Sequence, residues 1–415
     1  MKQNLMKPLI ALLLGALMMG SCKKYPSGVG PEYYSAQSGF QVTENFTVVN
    51  STDTKVEELS FATGLPYNFK ASFNQRVDWT ITVKSTTSNA TKVIKGSSTK
   101  IDNTNSKWLG GHTGSQTTFF KTGDVCIAEL SFLGSSQVLK DTFTVKTVRD
   151  FNTTDVIVLG YSNFETTPGA TWWNQFSFSQ NVENTIGKTN NDKTKSIEGN
   201  KYFEMIATPA ATSCDAKMYF TGAVQHRLHA SNFDTSKYGF LQNKHTNTKE
   251  WTNPDEIYVN MYIYNDGTDI NKDSRVSLQF HEADLSNDKN KPIKYLKATN
   301  PCAYDKLYTD NKTINTDTAR YVPLRAHDPS TDDSWEAAWV VSDLQPGWNL
   351  VSKKYSELST SLSLLDGGSG NKVAEPNRVH RVQVALIANT PGKKCKMTWE
   401  YVTITKGKPF NPDDY

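Results

Sequence analysis

Three strand-like segments in the second half of the chain alternate apolar residues with polar or aromatic ones. The polar and aromatic positions are Tyr258, Asn260, Tyr262, Gln279, His281, Arg381 and Gln383. Because successive side chains of a strand point to opposite faces, we expect this set on the outer face of a sheet whose other face is buried. Aromatic rings stack on the apolar C–H face of a sugar ring, and amides and guanidinium groups pair with its hydroxyls. The set therefore predicts a surface that recognises sugars.

Three tryptophans in polar, turn-rich stretches are further candidates for stacking on a ligand, namely Trp172, Trp173 and Trp251. A large apolar ring in a polar loop is explained when it contacts a ligand. The alternative is that the tyrosines and glutamines cover the solvent side of an ordinary sheet. The sequence leaves both interpretations open.

Sequence signatures of common catalytic sites are absent from the chain. It has no His-Glu-x-x-His, no Gly-x-Ser-x-Gly and no phosphate-binding Gly-rich loop followed by Lys-Ser or Lys-Thr. A glycosidase needs two carboxylates roughly 5–10 Å apart, and Asp255, Glu256, Glu282 and Asp284 are candidates for such a pair. We expect no enzyme and assign no catalytic residue. A glycoside hydrolase or polysaccharide lyase, and a structural or adhesive surface protein, are the alternatives.

Composition and charge indicate which fold class and which kinds of partner to expect. The 415 residues include 45 Lys and Arg and 42 Asp and Glu, a formal net charge of +3. No long basic run is present that could follow a phosphate backbone, so nucleic acid is not expected as a partner. Abundant Thr, Ser and Asn, mixed with β-branched and aromatic residues, are typical of half-buried strands separated by polar turns. The chain is therefore predicted to be all-β.

Residues 1–21 have the pattern of a signal peptide. Lys2 and Lys7 precede an apolar run of about eleven residues. This run is shorter than the roughly 20 residues that span a bilayer. Residues 19–22 (Met-Gly-Ser-Cys) resemble the lipobox of bacterial lipoproteins. The resemblance implies acyl chains on Cys22, which would hold the protein on a membrane surface. Residues 22–39 are rich in Pro, Gly and Ser and are predicted to continue from this cysteine as a flexible linker.

The region 40–148 carries about seven short strand signals, a pattern typical of an immunoglobulin-like (Ig-like) sandwich. Its segments 77–83, 92–96, 107–111 and 123–130 resemble the Ig-like repeat of flagellar hook-capping proteins and related surface modules. The resemblance implies an N-terminal Ig-like β-sandwich that acts as a spacer.

The region 155–410 carries about nine strand signals with long connections, which indicates a β-jelly-roll. The segments 163–165, 198–205, 344–351 and 397–404 resemble the galactose-binding-like jelly rolls of carbohydrate-binding modules. In many such modules an acidic residue of the opening strand and another of the closing strand bind a structural Ca²⁺. The resemblance therefore implies Glu165 and Glu400 as calcium ligands.

The order of lipid anchor, linker, Ig-like spacer and jelly roll resembles the surface glycan-binding lipoproteins of polysaccharide-degrading Gram-negative bacteria. That resemblance implies an exported protein, lipid-anchored to the outer membrane and exposed on the cell surface. It also implies a glycan ligand and an outer-membrane transporter as partners. Without residues 1–21 the chain is almost electrically neutral, which fits a neutral polyhydroxyl ligand.

Four cysteines besides Cys22 allow three disulfide pairings, and no two of them have the spacing of a zinc knuckle. Cys214 and Cys302 lie in polar stretches and are the preferred pair. Cys126 lies in an apolar strand signal and is expected to be a small buried hydrophobe. The fourth is Cys395.

Overall fold

A computed structural model describes residues 33–159, 164–165, 172–176, 182–209, 219–227, 246–267, 274–282, 336–341, 343–358, 373–388 and 395–415. These residues form β-strands and short 3-10 helices, so the prediction of an all-β chain is confirmed. The 3-10 helices are Phe61–Thr63, Thr246–Glu250, Tyr355–Glu357, Pro376–Arg378 and Pro412–Asp414. Within the described ranges, no helix has both the length and the apolar character needed to cross a membrane. Cys22 and the signal-peptide prediction lie outside these residues.

The N-terminal unit is a six-stranded sheet. Its strands are β1 (Val42–Val49), β2 (Glu58–Ser60), β3 (Asn68–Ser85), β4 (Thr91–Ile101), β5 (Val125–Phe132) and β6 (Val138–Thr147). Their order is β1-β3-β5-β6-β2, and β4 also pairs with β3. The long β3 pairs with β1 through its first half and with β5 through its second half, which lets a single sheet enclose a core. The Ig-like assignment of this unit stays a prediction.

Alternation along β3 builds the core of the N-terminal unit. Val77, Trp79, Ile81 and Val83 are all at most 2 % exposed, as their period of two predicts. The Trp79 ring packs directly on β4 at Gly96, where a Cβ would lie 2.2 Å from the indole. Glycine is therefore the residue that this close approach requires.

The structure tests one of the predictions made for the cysteines. Cys126 is free and buried in the core of the N-terminal unit, which confirms that expectation. Cys214 and Cys302, the preferred disulfide pair, lie outside the described residues, so their pairing stays a prediction.

The C-terminal sandwich contains two antiparallel sheets. The strands are β7 (Val156–Val158), β8 (Trp172–Phe176), β9 (Val182–Asn191), β10 (Lys201–Pro209), β11 (Tyr219–Arg227), β12 (Ile257–Asn265), β13 (Ser274–Glu282), β14 (Glu336–Val341), β15 (Gly347–Lys354), β16 (Val379–Ala388) and β17 (Cys395–Lys406). One sheet, called the proximal sheet below, has the order β15-β12-β17-β10-β9, with β7 also paired to β17. The other, called the distal sheet, has the order β14-β13-β16-β11-β8. Two antiparallel sheets of this kind form a β-sandwich, the two-layer architecture of the predicted β-jelly-roll.

The sandwich core lies between the proximal and distal sheets. Val259 and Met261 of β12 contribute from the proximal sheet, and Leu278, Phe280 and Val384 contribute from the distal sheet. All five are fully buried. Strands β8 and β9 complete the two sheets. Neither segment has a strand signal in the sequence, and the polar stretch around the two tryptophans of β8 predicts a loop, so that prediction is wrong.

A third buried cluster, made mostly of aromatic residues, joins the N-terminal unit to the outer face of the proximal sheet. Its buried members are Phe119, Phe151, Val156, Ile197, Tyr202, Tyr262, Trp348, Tyr401 and Phe410. Phe151 lies in the connection between the units and is only 3 % exposed. The segment that follows β17 returns to the N-terminal unit, where Lys92 Nζ contacts Asp413 Oδ1 at 2.9 Å. The two units are therefore joined by an extensive apolar and polar interface as well as by the chain connection.

Candidate functional site

Backbone register aligns polar positions in two rows across the distal sheet. The first row contains Trp173, Gln225, Gln383, Gln279 and Ala338, one from each strand. The second row contains Arg227, Arg381, His281 and Glu336. Neighbouring strands lie about 4.8 Å apart, so a row across five strands extends over roughly 19 Å. A row of this length could contact an extended ligand along several strands.

The two rows lie on the face of the distal sheet that is turned away from the core. Leu278, Phe280, Val382 and Val384 occupy the intervening positions of β13 and β16 and are fully buried. Because a strand alternates between its two faces, the polar rows belong to the opposite face. The register places Trp172 in the row of Phe280 and Val382, and Trp173 in the row of Gln279 and Gln383.

Four of the residues predicted from the sequence meet on this outer face, namely Gln279, His281, Arg381 and Gln383, and Trp173 joins them at the sheet edge. Sequence reasoning missed Gln225 and Arg227 of β11, which fill the positions between β16 and β8. Apolar/polar alternation does not mark them, because the position between Gln225 and Arg227 is the polar His226.

On the proximal sheet, the predicted outer-face residues of β12 are covered by the rest of the protein. Tyr262 is fully buried, and its hydroxyl lies 3.1 Å from Nε2 of His112 in the N-terminal unit, within hydrogen-bond distance. Asn260 is fully buried as well. Its Oδ1 accepts hydrogen bonds from the Ser352 hydroxyl at 2.7 Å and from the Phe410 backbone N–H at 3.0 Å. The prediction that Asn260 and Tyr262 face a ligand is therefore wrong, because the N-terminal unit and the segment after β17 occupy that face.

The remaining predicted aromatic residues differ in burial. Trp251 is 2 % exposed and belongs to the sandwich core, so its assignment as a loop stacking platform is wrong. Its backbone N–H donates to the carbonyl of Thr248, which turns the ring inward after a short 3-10 helix. Tyr258 is half-buried at the end of β12, with Lys354 Nζ 6.0 Å from its ring centroid. Its role in binding stays a prediction.

Burial also changes the chemistry of His112. Burial, together with the charge of Lys92, lowers the pKa of this histidine to about 4. Thr117 Oγ1 lies 2.7 Å from its Nδ1, on the side of the ring opposite Tyr262. The imidazole is therefore neutral at ordinary pH and serves as a hydrogen-bonding link between the units.

Glu400, predicted as a calcium ligand, lies on β17 at a β-bulge. The register shifts opposite Tyr262, and Tyr401 has a φ of +58°, so Glu400 and Tyr401 both turn toward the N-terminal unit. The two carboxylate oxygens of Glu400 accept backbone N–H groups from Ile197 and Glu198, each at 2.7 Å. Burial raises the pKa of this carboxyl, whereas the two N–H donors act in the opposite direction.

Glu165, the second predicted ligand, binds the C-terminal end of the turn formed by residues 192–201, whose middle part contacts Glu400. Its Oε1 accepts the backbone N–H groups of Asn200 and Lys201, the latter at 2.6 Å. Gly199 stands beside it with a φ of +64°, and a Cβ there would lie 2.3 Å from the carboxyl carbon of Glu165. Glycine is required at this position for both its backbone conformation and the close contact.

A lysine of the N-terminal unit reaches into this turn. Lys121 is 2 % exposed, and its Nζ donates to the Ser196 carbonyl at 2.8 Å, to the Ser196 hydroxyl at 2.7 Å and to the Lys193 carbonyl. Burial lowers the pKa of Lys121 to about 8, and the negative charges of Glu400 and Asp124 act against that decrease.

These contacts do not fit a calcium ion at Glu165 and Glu400. Calcium needs six to eight oxygen ligands, but the carboxylates here accept N–H groups and the nearby carbonyl oxygens accept the Lys121 ammonium. Across the part of the chain that the structure describes, no group of three or more His, Cys, Asp or Glu could hold a metal ion. The calcium prediction at these two residues is therefore not supported by the donor set.

No protein-family model matches the chain, and no curated protein matches it. Among solved structures, a family 11 carbohydrate-binding module from Clostridium thermocellum, in complex with a β-1,3-1,4-mixed-linked tetrasaccharide, is 9 % identical. It covers 62 % of this chain and 100 % of its own, with a TM-score of 0.31. SGBP-B from a complex xyloglucan utilization locus in Bacteroides uniformis is 13 % identical and covers 87 % of this chain and 73 % of its own, with a TM-score of 0.28.

Proposed function

We propose that this chain is a non-catalytic glycan-binding protein whose ligand lies across the outer face of the distal sheet. The observation that carries the proposal is the register row of Trp173, Gln225, Gln383 and Gln279, continued by the row of Arg227, Arg381 and His281. Side-chain amides and guanidinium groups supply both donors and acceptors for vicinal hydroxyls, and an aromatic residue at the edge supplies a stacking surface.

The position of the N-terminal unit also favours the outer face of the distal sheet as the binding surface. That unit covers the proximal sheet through the aromatic cluster around Tyr262, and the distal sheet lies on the opposite side of the sandwich. A long polysaccharide could therefore approach the distal sheet without meeting the N-terminal unit. In this arrangement the N-terminal unit serves as a rigid support for the binding sandwich.

Lipid attachment at Cys22 completes the proposal. Acyl chains on Cys22, followed by the Pro- and Gly-containing linker of residues 23–39, would hold the sandwich on the bacterial outer surface. There it would capture glycan for an outer-membrane transporter. A Cys22→Ala variant is expected to lose incorporation of a labelled fatty acid and to leave the membrane fraction, whereas retained labelling would contradict the anchor.

The binding proposal is tested by calorimetric titration of the full chain without residues 1–21. The ligands would be neutral polysaccharides, including a β-1,3-1,4-mixed-linked glucan and xyloglucan. We expect Trp173→Ala to weaken binding at least tenfold, because loss of a stacking ring removes a central contact. The matched control is Tyr258→Ala, an aromatic residue on the proximal sheet, which should bind like the unchanged protein.

Three outcomes would contradict the proposal. Equal binding by Trp173→Ala and the unchanged protein would remove the distal sheet as the site. Loss of binding in Tyr258→Ala alone would move the site to the rim of the proximal sheet. Release of new reducing ends from the polysaccharide during incubation would indicate an enzyme instead of a binding protein.

A further inference from the structure

The turn 192–201 of the C-terminal sandwich is an oxygen-rich pocket with a positive group inside it. Two oxygens of Ser196 and the carbonyl oxygen of Lys193 converge on one point. That point is the ammonium nitrogen of Lys121, which comes from the N-terminal unit, more than seventy residues earlier in the chain. Three acceptors match the three N–H bonds of an ammonium group.

Negative charges surround this ammonium from both units. The carboxylates of Glu400 and Glu165 in the C-terminal sandwich and Asp124 in the N-terminal unit all favour the charged form of Lys121. Asp124 is itself fully buried and accepts the backbone N–H of Lys121 at 2.9 Å. A buried cation needs hydrogen-bond acceptors and nearby opposite charge. Lys121 has three acceptors, and the attraction of the three carboxylates is opposed only in part by the neighbouring charge of Lys193.

The turn is also positioned by contacts that need no metal ion. The Phe119 backbone N–H donates to the Ile197 carbonyl at 2.9 Å, and the Trp348 indole donates to the Lys195 carbonyl at 2.6 Å. Lys193 Nζ lies 3.4 Å from Asp124 Oδ1 and adds a second ionic contact across the units. The turn is therefore held by protein groups on both of its sides.

We infer that Lys121 is a built-in cation that fills the place of a metal ion in the turn 192–201 and makes the sandwich independent of calcium. The N-terminal unit thus supplies a charge that the C-terminal sandwich lacks. A direct consequence is that the sandwich depends on the docked N-terminal unit for its stability, because the ammonium can reach the turn only when the units are in contact.

The experiment measures the thermal midpoint of the full chain without residues 1–21, in excess chelator and in millimolar CaCl₂. We expect the same midpoint in both conditions. Lys121→Met keeps the length of the side chain and removes the ammonium, and we expect it to lower the midpoint by roughly 5–10 °C. The matched control is Lys195→Met in the same turn, whose Nζ lies over the rings of Tyr202 and Tyr264 and which should lower the midpoint by much less.

The result that would overturn the inference is a midpoint that rises with calcium in the unchanged protein and no longer rises in Glu165→Gln. This measurement remains decisive even if Lys121→Met does not fold. A calcium-dependent rise that persists in Glu165→Gln would place the metal away from this turn and would also contradict the calcium independence of the sandwich. Equal midpoints for Lys121→Met and Lys195→Met would overturn it as well.

Discussion

On β12 of the proximal sheet, Tyr262 is fully buried against the N-terminal unit, and Asn260 is fully buried beneath the segment that follows β17. On β13 and β16 of the distal sheet, the corresponding positions form rows of glutamine, arginine and histidine on the side away from that unit. The two sheets share one alternating pattern, and among the described residues the N-terminal unit packs on the outer face of the proximal sheet alone. The comparison shows that alternation identifies the two faces of a sheet and does not reveal which face another unit covers.

The largest expected effect is on the covered face. Tyr262→Ala removes a fully buried ring from the aromatic cluster and leaves a cavity, so we expect a loss of about 3–5 kcal/mol in the free energy of unfolding. Urea denaturation followed by tryptophan fluorescence measures it. Tyr264→Ala, at a half-buried position of the same strand, should lose clearly less. Similar losses in the two variants would indicate that the interface does not depend on the buried ring.

The glycan affinity of Tyr262→Ala provides a second test of the same variant. Folded Tyr262→Ala is expected to bind polysaccharide like the unchanged protein, because Tyr262 lies on the covered face. Loss of binding by the folded variant would contradict the distinction between the two sheets.

Acid is the second way to disturb the covered face. His112 has a folded-state pKa of about 4 against an ordinary value near 6.5, so the unfolded chain binds its proton first as the pH falls. The neutral, buried His112 therefore contributes fully to the free energy of unfolding above about pH 6.5. This contribution, on the order of 3 kcal/mol, is lost as the pH falls toward 4. Urea midpoints between pH 7 and 4.5 measure this slope. His112→Gln should reduce the slope, and an unchanged slope would exclude this histidine as its source.

A smaller effect is expected on the distal face. Gln383 occupies the middle of the first row, between Gln279 and Gln225, so Gln383→Ala should weaken glycan binding about fivefold to tenfold. The free energy of unfolding should change little. Gln345→Ala, an exposed glutamine just before β15, is the matched control and should leave the affinity unchanged. Equal affinities for both variants would argue against a ligand lying along this row.

The smallest effect concerns the rim of the proximal sheet. Lys354 lies 6.0 Å from the centroid of the Tyr258 ring, a weak contact near the surface. Lys354→Ala should change neither stability nor glycan affinity by more than about twofold. A strong effect on affinity would show that the ligand also reaches the proximal sheet and would weaken the contrast between the two faces.

Much of the strand content could be predicted from local alternation, and Val77–Val83 and Ile257–Tyr264 illustrate it. The burial of Tyr262 could not be predicted in this way, because it depends on His112, which lies 150 residues away in the chain. The polar neighbours of Trp172 and Trp173 predict a loop, whereas pairing with β11 places both residues on an edge strand. The calcium prediction was based on two acidic positions and could not include Lys121, whose ammonium arrives from the other unit.

Hydroxyl-radical footprinting of the full chain, with and without bound polysaccharide, distinguishes the two sheets because it reports on individual aromatic side chains. We expect the ligand to protect Trp173 and His281 of the distal sheet and to leave Tyr258 of the proximal sheet equally reactive. Protection of Tyr258, with Trp173 and His281 unchanged, would contradict it.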